Sequence, residues 1–301
     1  MAYRFGVSIL LLSFSGYRRF HMRRFCHFLA LLAVMVAVIL PSIPTRVSAI
    51  TYGFVDTNNA FRNTGAFIVK SPNGQIFPIC SGTLIAPNVF LTASHCTVFF
   101  ENDLASQGFT AFVSFDNPIP FGDLTSRSTN LIPVTRVITN PKFNQSQSDP
   151  GDIAVLIVQA KDTRGITPAK LPTAGLLDQL ASQNGLQNAV FTPVGYGLQN
   201  RVVGGGPPFF QDANPVPRMF AFSSFNALNN SFLRLSQNPS TGNGGTCFGD
   251  SGGPNFININ GAGTLAAITI TGDSVCRSTN VTYRLDTTAS RQFLAPHVTL
   301  P

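Results

Sequence analysis

From Ala66 to Val158 the chain is a succession of short apolar segments cut by turns, and this punctuation limits its folding more than any other feature. Ala66-Phe67-Ile68-Val69-Lys70 is apolar and β-branched, and it stops at Ser71-Pro72-Asn73-Gly74, a run of turn-formers. Residues 80–85 and 89–93 flank a second turn at Pro87-Asn88, and residues 111–115, 134–138 and 153–158 repeat the pattern. No helical periodicity persists for 15 residues between Ile50 and Pro150. Strands this short and this regularly interrupted predict an all-β chain, a small barrel or a sandwich.

The second half repeats the style. Residues 162–185, with Pro168, Pro172 and Gly175, read as a linker, and residues 176–180 suit one or two helical turns. A further β group begins at residues 189–197, and residues 218–236 and 263–271 supply more strands. Residues 200–217, containing Gly204-Gly205-Gly206-Pro207-Pro208, read as a loop. The chain ends in a short helix expected over residues 287–295, with Asp286 or Thr287 as its N-cap.

The formal charge of +7 does not indicate a polyanion partner, because it is confined to one end. Arg4, Arg18, Arg19, Arg23, Arg24 and Arg46 lie in the first 49 residues, which leaves 14 basic against 13 acidic groups in the rest. That leader reads as a secretory signal. Met22-Arg23-Arg24 is its positive start, residues 28–40 its apolar run, and Val47-Ser48-Ala49 its small residues for cleavage. Thirteen apolar residues are short for a bilayer span, so a membrane anchor is the second choice. Met22 is an alternative start to Met1. Cleavage after Ala49 makes Ile50 the new N-terminus.

One of the five cysteines, Cys26, falls in the leader. Cys80, Cys96, Cys247 and Cys276 remain, an even number that in an exported chain favours disulfides. Three pairings are open to four cysteines. There is no Cys-x-x-Cys spacing, which speaks against structural zinc.

The chemistry-bearing stretch is Thr246-Cys247-Phe248-Gly249-Asp250-Ser251-Gly252-Gly253-Pro254. Its small residues allow a tight turn that leaves the Ser251 hydroxyl exposed. The N–H groups of Gly249 and Ser251 can converge on one developing oxyanion. A serine needs a base, and the chain after the leader holds only His95 and His297. His297, beside Pro296 near the end, reads as an exposed terminal side chain. His95 stands in Leu91-Thr92-Ala93-Ser94-His95-Cys96, and Asp152 heads the apolar segment Asp152-Ile153-Ala154-Val155-Leu156. Asp149, nearby, reads as an ordinary turn residue.

Gly249-Asp250-Ser251-Gly252-Gly253-Pro254 resembles the nucleophile signature of the trypsin/chymotrypsin-like serine proteases. Residues 92–96 resemble that family's Thr-Ala-x-His-Cys, residues 152–156 its Asp-Ile-Ala-Leu, residues 80–85 its Cys-Gly-Gly-Ser-Leu-Ile, and Gly195-Tyr196-Gly197 its Gly-Trp-Gly. The order histidine, aspartate, serine is also the family's, and the resemblance runs from Ile50 to about Ala295. It implies two antiparallel six-stranded β-barrels with a short C-terminal helix. The first barrel is expected over about residues 50–165 and the second over about 186–295, with the catalytic cleft between them. The implied catalytic residues are His95, Asp152 and Ser251, and the implied disulfides are Cys80–Cys96 and Cys247–Cys276. Closing loops of that size contributes roughly 3 kcal/mol each in the chain-entropy model.

The resemblance also implies an ion pair between the freed ammonium of Ile50 and the carboxylate of Asp250, which would shape the oxyanion hole. Because Ile50 directly follows the expected signal cleavage site, signal peptidase itself is expected to make the activating end. The specificity pocket is expected to be lined by Gly245, Thr246, Gly272 and Asn280. Trypsin-like members carry an acidic residue six positions before the serine, where this chain has Gly245, so cleavage after Lys or Arg is not expected. Asp273 lies close by in sequence. A departure occurs at Thr269-Ile270-Thr271-Gly272, where the family has Ser-Trp-Gly; either Thr269 or Ile270 takes the serine's place.

The expectation is a secreted serine endopeptidase, extracellular or periplasmic and monomeric. It acts on protein or peptide substrates with no metal or organic cofactor, no nucleic acid, and no stable membrane anchor once the leader is removed. The alternatives are a catalytically silent binding or adhesion protein on the same scaffold and, third, an esterase.

Overall fold

The computed structural model describes residues 50–120, 129–144, 146, 148–202, 209–211 and 214–301. The expected signal peptide, with Cys26 and the alternative start at Met22, lies outside the described residues, as does the glycine-rich run at residues 204–208.

The first sheet comes from the turn-punctuated half of the sequence. Its strands are β2 (Thr64–Lys70), β3 (Ile76–Ala86), β4 (Val89–Thr92), β5 (Thr110–Ser114), β6 (Ile132–Pro133), β7 (Arg136–Thr139) and β8 (Ala154–Ile157). They pair antiparallel in the order β6-β5-β2-β3-β4-β8-β7. Ser71 to Gly74 form the expected turn between β2 and β3, closed by Gly74 N donating to Ser71 O at 2.9 Å. The sheet is a half-barrel rather than a closed ladder, and the segment at residues 132–139 explains why. Val134 N donates to Ala111 O in β5, and the next amide, Thr135 N, donates to Ile157 O in β8. One bent segment thus spans both edges, with Pro133 lacking the N–H that a continuous strand would use.

The second sheet closes. Strands β9 (Val190–Gly195), β13 (Ser223–Leu228), β14 (Phe232–Ser236), β17 (Thr279–Arg284), β16 (Ala262–Gly272) and β15 (Pro254–Ile259) form a ring, because β15 pairs back onto β9. Two short strands, β12 (Met219–Phe220) and β1 (Phe54–Val55), extend it from β9. The N-terminal strand therefore belongs to the second sheet. Part of the expected loop at residues 200–217 is a hairpin of β10 (Asn200–Val202) and β11 (Phe209–Gln211).

Three short α-helices are described: α1 (Ser94–Phe99), α2 (Leu176–Ser182) and α3 (Thr288–Leu294). The first was not foreseen. The third is the expected C-terminal helix, and Thr287 is its cap, with Oγ1 accepting from Ser290 N at 3.2 Å. Buried Phe67, Phe90, Leu91, Val113 and Leu156 from the first sheet form one core with Leu265, Ile268 and Leu294 from the second half. Each such side chain contributes about 1.5–3 kcal/mol by leaving water.

Candidate active site

His95 and Asp152, the expected base and acid, are brought together by one strand pair. Strands β4 and β8 run antiparallel with Thr92 opposite Ala154, so the residues that follow Thr92 meet those that precede Ala154. His95 is the second residue of α1 and Asp152 lies two residues before β8. His95 N donates to Asp152 Oδ1 at 2.9 Å, and Nδ1 lies 2.8 Å from Oδ2. A ring whose Nδ1 donates to a carboxylate keeps its proton there and leaves Nε2 as an acceptor. The Asp152 side chain is 7% exposed and that of His95 34%, so the pair is buried at one end and open at the other.

The loop before Asp152 is fixed independently. Asn140 Nδ2 donates to Gly151 O at 2.9 Å, and Ser94 Oγ donates to Ile153 O at 2.7 Å. Gly151 takes a positive φ of 61°, and a Cβ there would lie 3.0 Å from the Lys142 carbonyl, so glycine is required. Asp149 is more than a turn residue. Tyr283, on β17, donates its hydroxyl to Asp149 Oδ1 at 2.8 Å. Burial pushes the Tyr283 phenol up, and its hydrogen bond to Asp149 and the charges of Asp149 and Asp152 push it further.

Ser251 stands in a turn closed by Asp250 N to Cys247 O at 3.1 Å and Gly253 N to Asp250 O at 2.9 Å. Three donors from outside the turn hold it. Leu198 N donates to Phe248 O at 2.7 Å, Ser81 Oγ to Gly249 O at 2.9 Å, and Ser81 N to Ser251 O at 2.9 Å. Because a trans peptide points its N–H opposite to its C=O, pinning Phe248 O turns Gly249 N–H away from Leu198. Among the described residues, no acceptor takes the N–H of Gly249 or of Ser251. Ser81 Oγ also accepts from Tyr196 N at 2.9 Å, so this buried hydroxyl on β3 links the Ser251 turn to the Gly195-Tyr196-Gly197 segment.

His95 and Ser251 line one cleft of about 300 Å³, together with Thr246, Phe248, Thr271 and Gly272. Both expected disulfides are present. Cys80–Cys96 joins β3 to α1 with its Cα atoms 6.3 Å apart, and Cys247–Cys276 joins the serine turn to the facing wall at 5.2 Å. Cys80, His95 and Cys96 also lie close enough together to suggest a metal site, but both sulfurs are in the disulfide and offer no thiolate.

Asp250 is fully buried. Its Oδ1 accepts from Gly197 N at 2.8 Å and its Oδ2 from Cys247 N at 2.9 Å. Burial pushes its carboxyl up to about 7 despite those two bonds. It joins no ion pair among the described residues. Ile50 is also fully buried, beside Met219 and Ala221, with a positive φ of 54° that a β-branched residue rarely adopts. In this uncut chain its nitrogen is a peptide nitrogen. The next residue, Thr51, accepts from Gly245 N at 2.9 Å and donates Oγ1 to Cys276 O at 2.8 Å.

Of the expected pocket residues, Thr246 and Gly272 line the cleft. Asn280 is wholly buried behind Thr269, its Nδ2 donating to Asn255 Oδ1 at 3.0 Å. Gly245 does not line the cleft, and it packs against Gln237. Asp273 lines the cleft rim with its carboxylate engaged. Oδ1 accepts from Ser278 N and Thr279 N at 2.8 Å and from Gln237 Nε2 at 3.2 Å, and Oδ2 from Arg277 N at 3.1 Å. Burial pushes this carboxyl up, but the bonds outweigh it and hold it below the ordinary value. Thr269 Oγ1 accepts from Asn255 Nδ2 at 3.0 Å inside the barrel, and Ile270 has no hydroxyl, so neither supports Asp152. His297 packs edge-on against Phe293 of α3, at 5.6 Å between ring centroids.

Sequence reading missed Ser81, Gln237 and Tyr283. Ser81 alone had a signal, since it stands inside a motif at a position where the resembling family has glycine.

A sequence-family model for trypsin matches residues 53–291. A solved structure of HL collagenase is 17% identical, covers 82% of this chain and 98% of that chain, and superimposes with a TM-score of 0.57.

Proposed function

The chain belongs to the trypsin family of serine proteases, and from that premise we propose that it is a secreted serine endopeptidase with Ser251, His95 and Asp152 as its triad. One observation carries the reading. Asp152 holds both the backbone N–H and Nδ1 of His95 at hydrogen-bonding distance, and the same His95 shares a cleft with Ser251. In the proposed reaction Ser251 Oγ attacks the scissile carbonyl while His95 Nε2 takes its proton. The N–H groups of Gly249 and Ser251 hold the oxyanion, and His95 returns the proton to the leaving amine. Water, activated by the same base, then hydrolyses the acyl-enzyme.

Activation follows from Asp250. A buried carboxylate without a cation is costly, and a free ammonium at Ile50 would supply one. The position of Thr51 against Gly245 and Cys276 supports this, since it holds the residue after Ile50 beside the serine turn's approach. We take signal peptidase to release Ile50 directly. N-terminal sequencing of the secreted protein decides the point, and any other first residue refutes it. Cleavage after Lys or Arg is not expected, because Gly245 offers no carboxylate and that of Asp273 already accepts four bonds.

A fluorophosphonate probe tests the whole reading. The secreted protein should be labelled and Ser251→Ala should not. Failure to label correctly processed wild type would instead favour a silent binding protein on the same scaffold.

A further inference from the structure

A Cβ built on Gly245 would lie 2.2 Å from Gln237 Oε1 and 2.4 Å from Gln237 Cβ. Gln237 therefore already fills the volume that a side chain at residue 245 would enter. Gln237 directly follows β14 (Phe232–Ser236) and is 1% exposed. Its place is fixed at three points. Backbone N donates to Ser278 O at 2.9 Å, Oε1 accepts from Thr246 N at 2.8 Å, and Nε2 donates to Asp273 Oδ1 at 3.2 Å. Thr246 and Asp273 both line the cleft and both bond this amide, whereas neither Gln237 nor Gly245 lines it.

We propose that Gln237 is a specificity-determining plug that closes the base of the substrate side-chain pocket and restricts cleavage to the carboxyl side of small uncharged residues, from Ala and Ser to Val and Thr. The inference rests on reading the cleft as a protease active site. A longer side chain would have to displace an amide held by two hydrogen bonds, leaving Thr246 N and Asp273 short of partners in a buried place. A charged side chain would gain nothing there, because both ends of the amide are engaged and desolvating an ion without a partner is costly. The pocket walls agree. They carry Thr246, Thr271 and the Cys247–Cys276 bridge, beside Phe248 and Ile270.

The test uses the secreted chain and tetrapeptide p-nitroanilides that differ only in the last residue, Ala, Val, Leu, Phe or Lys, with active enzyme counted by fluorophosphonate titration. Wild type should favour Ala and Val over Phe and Lys by at least about tenfold in kcat/KM, the scale on which a pocket discriminates by volume. Gln237→Ala should raise the Phe-to-Ala ratio by at least about tenfold, while Gln237→Met, which refills the space without the amide, should keep the wild-type order. Should Gln237→Ala fail to fold, Gln237→Ser opens the same space and retains a polar group. A wild type that prefers Phe, Leu or Lys overturns the plug, as does a Gln237→Ala or Gln237→Ser enzyme whose rates fall equally on all substrates. In either case labelling by the fluorophosphonate still upholds the protease. Unlabelled wild type would overturn the protease reading itself.

Discussion

The charge state of Asp250 should make the uncut chain lose stability as pH rises. Burial lifts this carboxyl from an ordinary value of 3.8 to about 7 in a folded chain whose residue 50 has no free amine. A folded-state value above the unfolded one means that the folded state holds a proton the unfolded state has released. The contribution is fully present below pH 3.8 and is lost as pH climbs to about 7. At 1.36 kcal/mol per pH unit the whole interval is worth roughly 4 kcal/mol, of which roughly 3 falls between pH 5 and pH 8. Against a total stability of about 5–15 kcal/mol this is readily measured. The assay is urea unfolding at pH 5 and pH 8 of two proteins, both carrying Ser251→Ala to prevent autolysis. One begins at Val47 and the other at Ile50. The Val47 form should lose roughly 3 kcal/mol over that range. The Ile50 form, whose ammonium can pair with the carboxylate, should lose much less. Asp250→Asn should flatten the slope of the Val47 form. Equal slopes for the two starting points would refute the pairing, and an undiminished slope in Asp250→Asn would refute the assignment to this carboxyl.

Three further outcomes are expected. Asp152→Asn should leave the fold intact but lower kcat by about 10⁴-fold, measured on a peptide p-nitroanilide, because His95 would then hold the wrong tautomer. Ser81→Ala removes the donor to Gly249 O and the acceptor for Tyr196 N; kcat should fall about 5- to 30-fold with KM little changed, the equivalent of about 1–2 kcal/mol. Replacing Cys247 and Cys276 together by Ser should cost about 3–4 kcal/mol in denaturant unfolding, from a bridge spanning 29 residues.

Much of this was legible in the sequence, for a physical reason. Strand punctuation depends on local turn chemistry, so the turn at Ser71 to Gly74, the strand around Ala66 and the Thr287 cap were all readable from near neighbours. The candidate site residues were readable as candidates because their motifs are short and contiguous. What the sequence hid are contacts made across long separations by residue types without special chemistry. Gln237 meets Gly245 because a strand end lies beneath a loop, and nothing in Ser236-Gln237-Asn238 announces it. Closure of the second sheet but not the first depends on β15 pairing back onto β9, more than 60 residues away in sequence. Helix α1 was missed because six residues carry too little periodicity, and its neighbours continue as tighter and wider turns up to Gln107.

The hidden contacts share a logic that the motifs do not. Each half of the fold carries one member of the proposed triad outside a helix or strand, Asp152 in the first and Ser251 in the second. Each of these segments is tied by a hydroxyl from the other half. Ser81, on β3 of the first sheet, holds Gly249 O beside Ser251, and Tyr283, on β17 of the second, holds Asp149 in the loop that ends at Asp152. Neither Thr269 nor Ile270 gives Asp152 a hydroxyl, so Tyr283 supplies the second sheet's tie to the acid's loop. A relative movement of the two sheets would strain both ties at once and would alter the nucleophile turn and the acid's loop together. On the proposed assignment of Ser251, His95 and Asp152, the geometry of the triad is thus a property of the contact between the sheets. Substitutions at that contact should change kcat well before they unfold either half.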